Sequence, residues 1–371
     1  MRQRIGIITF HASHNYGSML QAYALQKVIL EMGHHCEIIN FRTKRQKKFF
    51  KPLYKQGNIY ERLKRFIIQF PYIKQLKKKH ILFEEFIKKK LSVTSKEYST
   101  IQELKEANFN YDCYISGSDQ IWNSTILDFD WAYFLPFVRN GKRIAYAPSM
   151  GPTPNTTIEK DFTAIKVALE NYDYISVRET ITATHLYRLL QKEVPVVLDP
   201  TLLLNAQIWE ELAGDTPLIK GDYCFCYSPW LNEEVIDLAS KWGNVNSIKV
   251  IISQPLTYLS SVRAWKDVST YAAVGPIEFL NLCKYAKMVC CDSFHAVIFS
   301  IFFKTPFITL NGMSDSRISN ILTITGLQNR SCNKNNFLSV IPHIDFDYAH
   351  TAINRKIEES ITWLSNVITN E

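Results

Sequence analysis

The sequence predicts an α/β protein with two Rossmann-like domains, each a doubly wound parallel sheet, and with ligands bound in a cleft between them. The first observation is the length of 371 residues, which exceeds the size at which single hydrophobic cores usually stop growing. The second is the alternation of short apolar runs with longer segments of helical periodicity, which is typical of parallel sheets covered by helices. This alternation occurs twice, before and after residues 200–220.

The first series begins with a βαβ unit, in which residues 5–10 and 36–41 have strand character and residues 17–32 have one apolar helical face. After a basic segment the series continues with further predicted strands at 111–116, 143–147, 174–177 and 194–198, and helices at 157–172 and 179–191. We predict that residues 1–205 form the N-terminal domain, with the basic segment, residues 42–92, inserted into it as helices.

The second series contains predicted strands at 223–227, 248–253, 287–291 and 306–310, and helices at 232–242, 277–286 and 294–303. Apolar residues at helical spacing then mark a terminal amphipathic helix, namely Ile353, Ile357, Ile361, Leu364 and Ile368. We therefore predict a C-terminal domain at residues 206–350 and a final helix at 351–371.

Composition argues against a membrane-spanning protein, because 46% of residues are hydrophobic and no run approaches the roughly 20 apolar residues that a span needs. The N-terminus enters a strand directly, without the apolar core of a signal peptide. The eight cysteines contain no Cys-x-x-Cys spacing and several lie in apolar runs. These features favour a cytoplasmic protein with reduced, buried thiols.

The net charge of +8 is concentrated in one segment, since residues 42–90 contain 17 Lys/Arg and three acidic residues. That segment carries +14, and the rest of the chain carries −6. Aromatic residues such as Phe49, Phe66 and Phe70 alternate with the basic clusters, as expected for a surface that meets anionic lipid or polyphosphate. A solvated helical insertion is the alternative. Nucleic acid is a weaker one, because no recognised binding motif accompanies the charge.

Polar residues follow two of the predicted N-terminal strands. Asn15, Tyr16 and Gly17 lead from the first strand into a helix, whose free N–H groups favour an anion. Ser118 and Asp119 follow another strand. Turn formation explains these residues equally well.

Three further features of the N-terminal half point to ligands. The ring of Trp122 offers a stacking face for a sugar. Asp128 and Asp130 have the spacing seen in metal-dependent glycosyltransferases, but we interpret them as a loop without metal. Arg178 follows the strand at 174–177, where it is placed to bind phosphate or carboxylate, with a salt bridge to Glu179 or Asp173 as the alternative.

The most specific run in the C-terminal half surrounds His295. We expect it in the first turn of a helix, with Asp292 or Ser293 as the capping residue and with N–H groups placed to hold a phosphate. A histidine at this position can transfer protons near neutral pH. A structural role is the alternative for a single histidine.

Eight ordered segments carry a resemblance to a known family. They are Gly6-Ile7-Ile8-Thr9-Phe10-His11 with Asn15-Tyr16-Gly17 and Leu20-Gln21-Ala22-Tyr23-Ala24-Leu25-Gln26; Ser116-Gly117-Ser118-Asp119-Gln120-Ile121-Trp122-Asn123; Ala145-Tyr146-Ala147-Pro148-Ser149; Ser176-Val177-Arg178-Glu179; Leu198-Asp199-Pro200-Thr201; Gly275-Pro276-Ile277-Glu278-Phe279-Leu280; Asp292-Ser293-Phe294-His295; and Ser316-Arg317-Ile318. Together they resemble the polysaccharide pyruvyl transferase family over most of the chain.

The resemblance implies a glycosyltransferase-B-like fold and an enzyme of capsule or exopolysaccharide synthesis. Such an enzyme moves the enolpyruvyl group of phosphoenolpyruvate onto two hydroxyls of a sugar, forms a pyruvate ketal and releases phosphate. Phosphoenolpyruvate is a co-substrate, and no metal or other cofactor is implied. The acceptor is a sugar of a polysaccharide or of its polyprenyl-diphosphate-linked precursor, which is compatible with peripheral binding to an anionic membrane.

The resemblance also implies roles for individual residues. His295 is the expected catalytic acid/base, and Arg178, Ser293 and Arg317 are expected on the donor. Some members carry an arginine where this chain has Ser293, and Arg317 is the candidate substitute. The polar residues of the N-terminal half, expected on the acceptor side, are the substrate-binding candidates: Asn15, Tyr16, Gly17, Ser118, Asp119 and Trp122.

Two other functions are consistent with the same sequence. A nucleotide-sugar-dependent glycosyltransferase of the same shape would use a different donor, so a donor competition assay separates it from a pyruvyl transferase. A non-catalytic carbohydrate-binding protein would tolerate replacement of His295.

Overall fold

The computed structural model describes residues 2–52, 58–151, 156–256, 265, 267–333 and 343–370. The chain forms two compact units. Unit 1 comprises Met1–Phe49, Ile87–Leu204 and Asn354–Glu371, and unit 2 comprises Phe50–Phe86 and Asn205–Ile353.

Eleven strands lie in the described ranges. They are β1 Arg4–Ile8, β2 His35–Ile38, β3 Cys113–Ser116, β4 Lys142–Ala145, β5 Tyr174–Ile175, β6 Tyr223–Tyr227, β7 Lys249–Ile252, β8 Val268–Thr270, β9 Met288–Cys291, β10 Phe307–Leu310 and β11 Ser331–Cys332.

The same ranges contain thirteen α-helices. They are α1 Tyr16–Glu31, α2 Lys44–Phe49, α3 Ile59–Gln69, α4 Ile73–Lys90, α5 Ile101–Glu106, α6 Thr156–Leu169, α7 Thr180–Leu190, α8 Ala206–Ala213, α9 Glu233–Asn246, α10 Pro276–Lys284, α11 Phe294–Phe302, α12 Ser316–Thr325 and α13 Phe346–Thr369.

Unit 1 contains a five-stranded sheet in the order β2-β1-β3-β4-β5, in which every pairing is parallel. The chain moves outward from β1 to β2 on one side and from β3 to β5 on the other. The topological switch point therefore lies between β1 and β3, and ligands of such sheets bind outside the carboxyl ends of the strands at that point.

Unit 2 contains a six-stranded parallel sheet in the order β11-β10-β9-β6-β7-β8. Counted from β6, this is the strand order of dinucleotide-binding Rossmann domains, and its switch point lies between β6 and β9. All residues of β6 and β9 are buried, because helices cover both faces of a parallel sheet. Apolar strand sequences such as Tyr223-Cys224-Phe225-Cys226-Tyr227 follow from that burial.

Most predicted elements are present within a few residues of their expected bounds, but the strand expected at 194–198 is not. Only Val196 pairs there, as an isolated bridge to Val177. Pro195 precedes it and lacks the N–H that a strand position uses, although its carbonyl accepts from Val177 N at 3.0 Å. The short edge strands β8 and β11 were not predicted.

The unit boundary after Leu204 lies next to the expected boundary at 205, but the basic segment is arranged differently from the prediction. Residues Phe50–Phe86 belong to unit 2 and are not an insertion that packs with the N-terminal sheet. The reason is specific packing of α4: the Gln75 side chain accepts a 2.7 Å hydrogen bond from Ala272 N, and Leu82 packs against Gly275. The terminal helix α13 begins at Phe346, earlier than expected.

None of the helices in the described part of the chain combines the length and apolar character needed to span a membrane.

Candidate functional site

The switch point of unit 1 is closed by hydrogen bonds between the segments that follow β1 and β3. Thr9 Oγ1 donates to the carbonyl oxygen of Ser118 at 3.2 Å. Gln21, one turn into α1, donates from Nε2 to Thr9 Oγ1 at 2.9 Å. The two strand ends are thereby fixed to each other and to the following helix.

Helix α1 begins at this switch point, as the turn sequence predicts. Asn15 is the N-cap, and its Oδ1 accepts from Ser18 N at 3.3 Å. The Asn15 side chain is exposed, whereas Tyr16 and Gly17 are buried in the first helical turn. Of these three predicted substrate-binding residues, Asn15 alone presents its side chain at the surface of unit 1.

Asp119 adopts a left-handed backbone conformation with φ of 73°. Aspartate tolerates this conformation better than most residues because its short carboxylate bonds locally. Here Asp119 Oδ1 accepts from Gln120 N at 2.8 Å, and Oδ2 accepts from the hydroxyl of Ser18. The bond to Gln120 is a local turn contact, and the bond from Ser18 joins the end of β3 to the first turn of α1.

Arg178 lies in a buried ion-pair cluster, with its side chain only 2% exposed. Arg178 Nη1 lies 2.8 Å from Asp199 Oδ2, Nη2 lies 3.8 Å from Asp119 Oδ1, and Nε lies 3.5 Å from Glu179 Oε2. Ser118 Oγ donates to the same Asp199 oxygen at 3.0 Å. The sequence alternative of a Glu179 salt bridge is present, together with two carboxylates that the sequence did not indicate.

These contacts determine the electrostatics of Arg178. Burial acts to lower the pKa of the Arg178 guanidinium, but the carboxylates of Asp199, Glu179 and Asp119 more than offset this, so the pKa lies above its ordinary value. A donor anion would have to share Arg178 with these carboxylates. In the structure Arg178 links the segments that carry Asp119, Glu179 and Asp199 within unit 1.

Trp122, the expected sugar-stacking residue, is fully enclosed. Its ring is parallel to that of Phe134 at 5.3 Å and meets the edge of Tyr172 at 5.8 Å. Because these neighbours enclose the indole, neither of its faces is open to a sugar in this structure. Trp122 contributes to core packing instead.

Asp128 and Asp130 differ in environment. Asp130 caps the short 3-10 helix Trp131–Phe134, where its Oδ1 accepts from Ala132 N at 2.9 Å, which is a loop function. Asp128 is hydrogen-bonded to Ser13 and Gln46, and burial raises its pKa to about 6, with the charge of Asp119 adding to the effect. Asp128 is therefore a buried carboxyl group with a raised pKa, close enough to Asp119 to be affected by its charge.

In unit 2 a second polar cluster spans the switch point. Ser228 follows β6 and Asp292 follows β9, and Ser228 Oγ donates to Asp292 Oδ2 at 3.1 Å. Asn232 Nδ2 lies 3.5 Å from the same oxygen, and Asn232 N donates to Ser228 Oγ at 2.9 Å. Burial raises the pKa of Asp292, although the bonds from Ser228 and Asn232 oppose this.

Helix α11 begins directly after Asp292. The residue at its N-cap is Ser293, not Asp292, and the Ser293 side chain makes no capping bond. His295 is the second residue of α11, is 8% exposed, and lies with its ring 5.1 Å from that of Phe294. The rest of α11 is apolar except for Ser300, and every residue of it is buried. The expected placement of His295 in the first turn is therefore correct.

Arg317 is held by Asp315 just after β10. Arg317 Nη2 lies 2.6 Å from Asp315 Oδ2, and Nε donates to Oδ1 at 3.0 Å. Asp315 also caps α12 by accepting from the backbone N–H groups of Arg317 and Ile318. Burial acts to raise the pKa of Asp315, but its bonds with Arg317 lower it overall. This two-point contact with the Asp315 carboxylate fixes the orientation of the Arg317 guanidinium.

A sequence model of the family described as polysaccharide pyruvyl transferase matches residues 15–312, which include both clusters. The chain belongs to the polysaccharide pyruvyl transferase family. The resemblance carried by the eight motifs is thereby confirmed, and the protein is a transferase. A comparison with curated proteins gave no match.

Solved structures of other proteins agree with the fold of this chain. A glycosyltransferase from Rickettsia africae is 12% identical, with full coverage of both chains and a TM-score of 0.57. A glycosyltransferase involved in avilamycin A biosynthesis is 10% identical, covering 99% of this chain and 97% of its own, with a TM-score of 0.52. UDP-GlcNAc 2-epimerase from Methanocaldococcus jannaschii is 12% identical over both whole chains, with a TM-score of 0.51. At these identities the likeness shows the fold alone, and it confirms the predicted glycosyltransferase-B-like class.

Several residues of the two clusters were not identified from the sequence. Asp199 was noted only within a family motif, although an acid between an apolar run and a proline is a detectable signal. Ser18 and Ser228 carried no comparable signal, because a single serine after a strand or within a first helical turn is common. Their roles depend on which strands are neighbours, and that follows from the sheet order.

Proposed function

We propose that this enzyme uses phosphoenolpyruvate to form a pyruvate ketal on two hydroxyls of a sugar. The observation that carries the proposal is the hydrogen bond from Ser228 to Asp292 across the unit 2 switch point, directly before the helix that bears His295. This is the position where α/β sheets bind phosphorylated ligands. It supports a donor site on unit 2.

The proposed chemistry balances without a metal or redox partner. A proton adds to the methylene carbon of phosphoenolpyruvate, and C2 becomes electrophilic. One sugar hydroxyl forms a C–O bond to C2 and loses its proton. The second hydroxyl then displaces phosphate from C2 and loses its proton as the C–O bond to phosphate breaks. One of the two hydroxyl protons balances the new methyl group, and the other leaves with phosphate or solvent.

Each step transfers a proton, and we assign that work to His295. An imidazole titrates near neutral pH, and general acid/base groups contribute about 10²–10⁴ in rate. The N–H groups at the start of α11, beginning at Ser293, are suited to a phosphate because helix N-termini carry partial positive charge. Arg317, oriented by Asp315, is the cationic side chain that we propose binds the donor in unit 2.

The remaining proposed roles fall to residues of unit 1. Asn15 is the proposed direct contact to the acceptor, since its side chain is exposed at the helix start. We propose that Ser118 and Asp119 position that surface indirectly, through their hydrogen bonds with Asp199 and Ser18 respectively. The donor-binding role of Arg178 stays a prediction from the family resemblance, and it is tested by its own variant below.

Mass spectrometry of candidate acceptors tests the proposal. Purified enzyme is incubated with phosphoenolpyruvate and a panel of free and polyprenyl-diphosphate-linked oligosaccharides. One pyruvyl addition with release of phosphate is expected, and none with the His295→Ala enzyme. Transfer from a nucleotide sugar and not from phosphoenolpyruvate would support a glycosyltransferase instead. Acceptor binding without any turnover would support a carbohydrate-binding protein.

A further inference from the structure

Helix α3 presents an apolar stripe to solvent. Tyr60 is 76% exposed, Leu63 57% and Ile67 63%, and Phe70, in the 3-10 turn that follows, is 64% exposed. Spacings of three, four and three residues place these side chains on one helical face. Phe66 lies beside the stripe, with its ring 5.9 Å from that of Phe70.

The orientation of this stripe is the reverse of the usual one. A surface helix of a globular protein turns its apolar face toward the core, and contiguous exposed apolar patches mark interaction sites. The other helices of unit 2 follow the usual rule where described: α9 buries Val235, Ile236 and Leu238. The stripe on α3 therefore requires a partner that offers an apolar environment.

The charge around the stripe defines what that partner is. Residues 58–90 contain ten Lys/Arg and three acidic residues, in a chain whose net charge outside residues 42–90 is −6. Arg62 is exposed on α3, and Lys74, Lys77 and Lys78 are exposed on the first half of α4. A partner that matches both features has an apolar interior and an anionic surface.

We propose that α3 is an interfacial helix that docks the enzyme on a bilayer containing anionic lipid, with its apolar stripe among the acyl chains and the neighbouring lysines on the headgroups. Basic amphipathic helices bind membranes in this way. A second copy of the chain fits less well, because two segments of the same strong positive charge repel each other. Nucleic acid would explain the cations but not the exposed apolar stripe. The proposal does not depend on the donor that the enzyme uses.

Vesicle sedimentation of the full-length enzyme tests the proposal. Phosphatidylcholine vesicles are compared with vesicles that also contain phosphatidylglycerol, at low and raised salt. We expect binding to the anionic vesicles only, with partial release by salt because the charge term is screened. The variant Leu63→Asp with Ile67→Asp should lose at least about tenfold in partition coefficient.

A matched control separates the stripe from added charge. Val167 on α6 and Val245 on α9 are comparably exposed, at 58% and 64%, so Val167→Asp with Val245→Asp adds the same two charges elsewhere. This control should bind within about twofold of the wild type. Because all eight native cysteines are buried, a polarity-sensitive dye can be attached selectively to Ile67→Cys, and its emission should shift to the blue on anionic vesicles.

Three results would overturn the proposal. The first is wild-type protein that ignores anionic vesicles at low salt. The second is equal binding by the stripe variant and the control, which would leave charge alone as the cause. The third is a wild-type dimer in light scattering that the stripe variant abolishes, since that would identify a second copy as the occupant. Circular dichroism and thermal melting of each variant confirm that folding is intact.

Discussion

Arg178 Nη1 and Asp199 Oδ2 lie 2.8 Å apart inside unit 1, with the arginine side chain 2% exposed and the aspartate side chain fully buried. Asp199 is also the N-cap of the 3-10 helix Pro200–Leu202, where its Oδ1 accepts from the backbone N and the hydroxyl of Thr201. Breaking this pair removes the nearest of the three carboxylates around a buried guanidinium, which is more costly than losing an exposed pair.

Asp199→Asn should therefore lower the free energy of unfolding of unit 1 by about 3 kcal/mol. The isosteric amide keeps the hydrogen bond to Thr201 but removes the charge opposite Arg178. Urea denaturation followed by fluorescence measures the loss. Asp215→Asn is the matched control, because that side chain is fully exposed beside Lys284 and its replacement should leave the unfolding free energy close to that of the wild type. Equal effects of the two variants would contradict a structural role for the buried pair.

Arg178→Lys tests the donor-binding prediction separately. Lysine keeps the charge but presents one ammonium instead of a planar fork, so it cannot satisfy three carboxylates or hold an anion in two-point contact. We expect lower stability and a raised KM for phosphoenolpyruvate in the folded enzyme. Lower stability with KM and kcat unchanged would assign Arg178 to the ion-pair cluster alone.

His295→Ala should leave folding intact and lower kcat at least about a hundredfold, as expected for loss of a general acid/base. His185→Ala on α7, a partly buried histidine of unit 1, should retain near wild-type turnover. Steady-state kinetics with phosphate release as the readout compare the two. Comparable activity of both variants would remove His295 from the mechanism.

Sequence reasoning located the fold well because periodicity reports burial directly. The run at 287–291 predicted a buried strand, and β9 is there with every residue buried. The pattern also located His295 in a first helical turn, since a strand followed by Asp-Ser and an apolar run has few alternatives. Where local pattern and burial coincide, as at β6 and α11, the prediction needed no tertiary information.

The sequence pattern could not predict which residues distant in the chain are in contact. The ring of Trp122 was expected at a ligand and is stacked on Phe134, because sequence position at a strand end does not tell which way a side chain points. Arg178 was expected to meet an anion, and it meets Asp199, 21 residues away, through the folding of the intervening helix. The middle part of the basic segment, Phe50–Phe86, belongs to unit 2, where Gln75 accepts a hydrogen bond from Ala272, 197 residues away.

Activity should survive EDTA, since the proposed ketal chemistry assigns no step to a metal and Asp130 serves as a helix cap. The assay is phosphate release with and without chelator, followed by addition of Mg²⁺ or Mn²⁺. Loss of activity that either ion restores would contradict the proposed chemistry and favour a metal-dependent glycosyltransferase.

Asp128 provides a prediction about stability and pH. Burial raises its pKa from an ordinary value of 3.8 to about 6. Between these values the folded state binds more protons at this site than the unfolded state, so the contribution of Asp128 to stability decreases as pH rises through that window. Two pKa units correspond to about 3 kcal/mol at most.

Asp128→Asn cannot ionise, so it should become more stable relative to the wild type as pH rises from about 4 to about 7, with no further change above that. His11 titrates in the same range, because burial lowers its pKa to about 4 and makes the fold more stable as pH rises. That contribution is common to both proteins and cancels in the difference. Urea titrations of the two proteins across this pH range measure the difference in unfolding free energy. A difference that does not change with pH would show that Asp128 keeps an ordinary pKa in the fold.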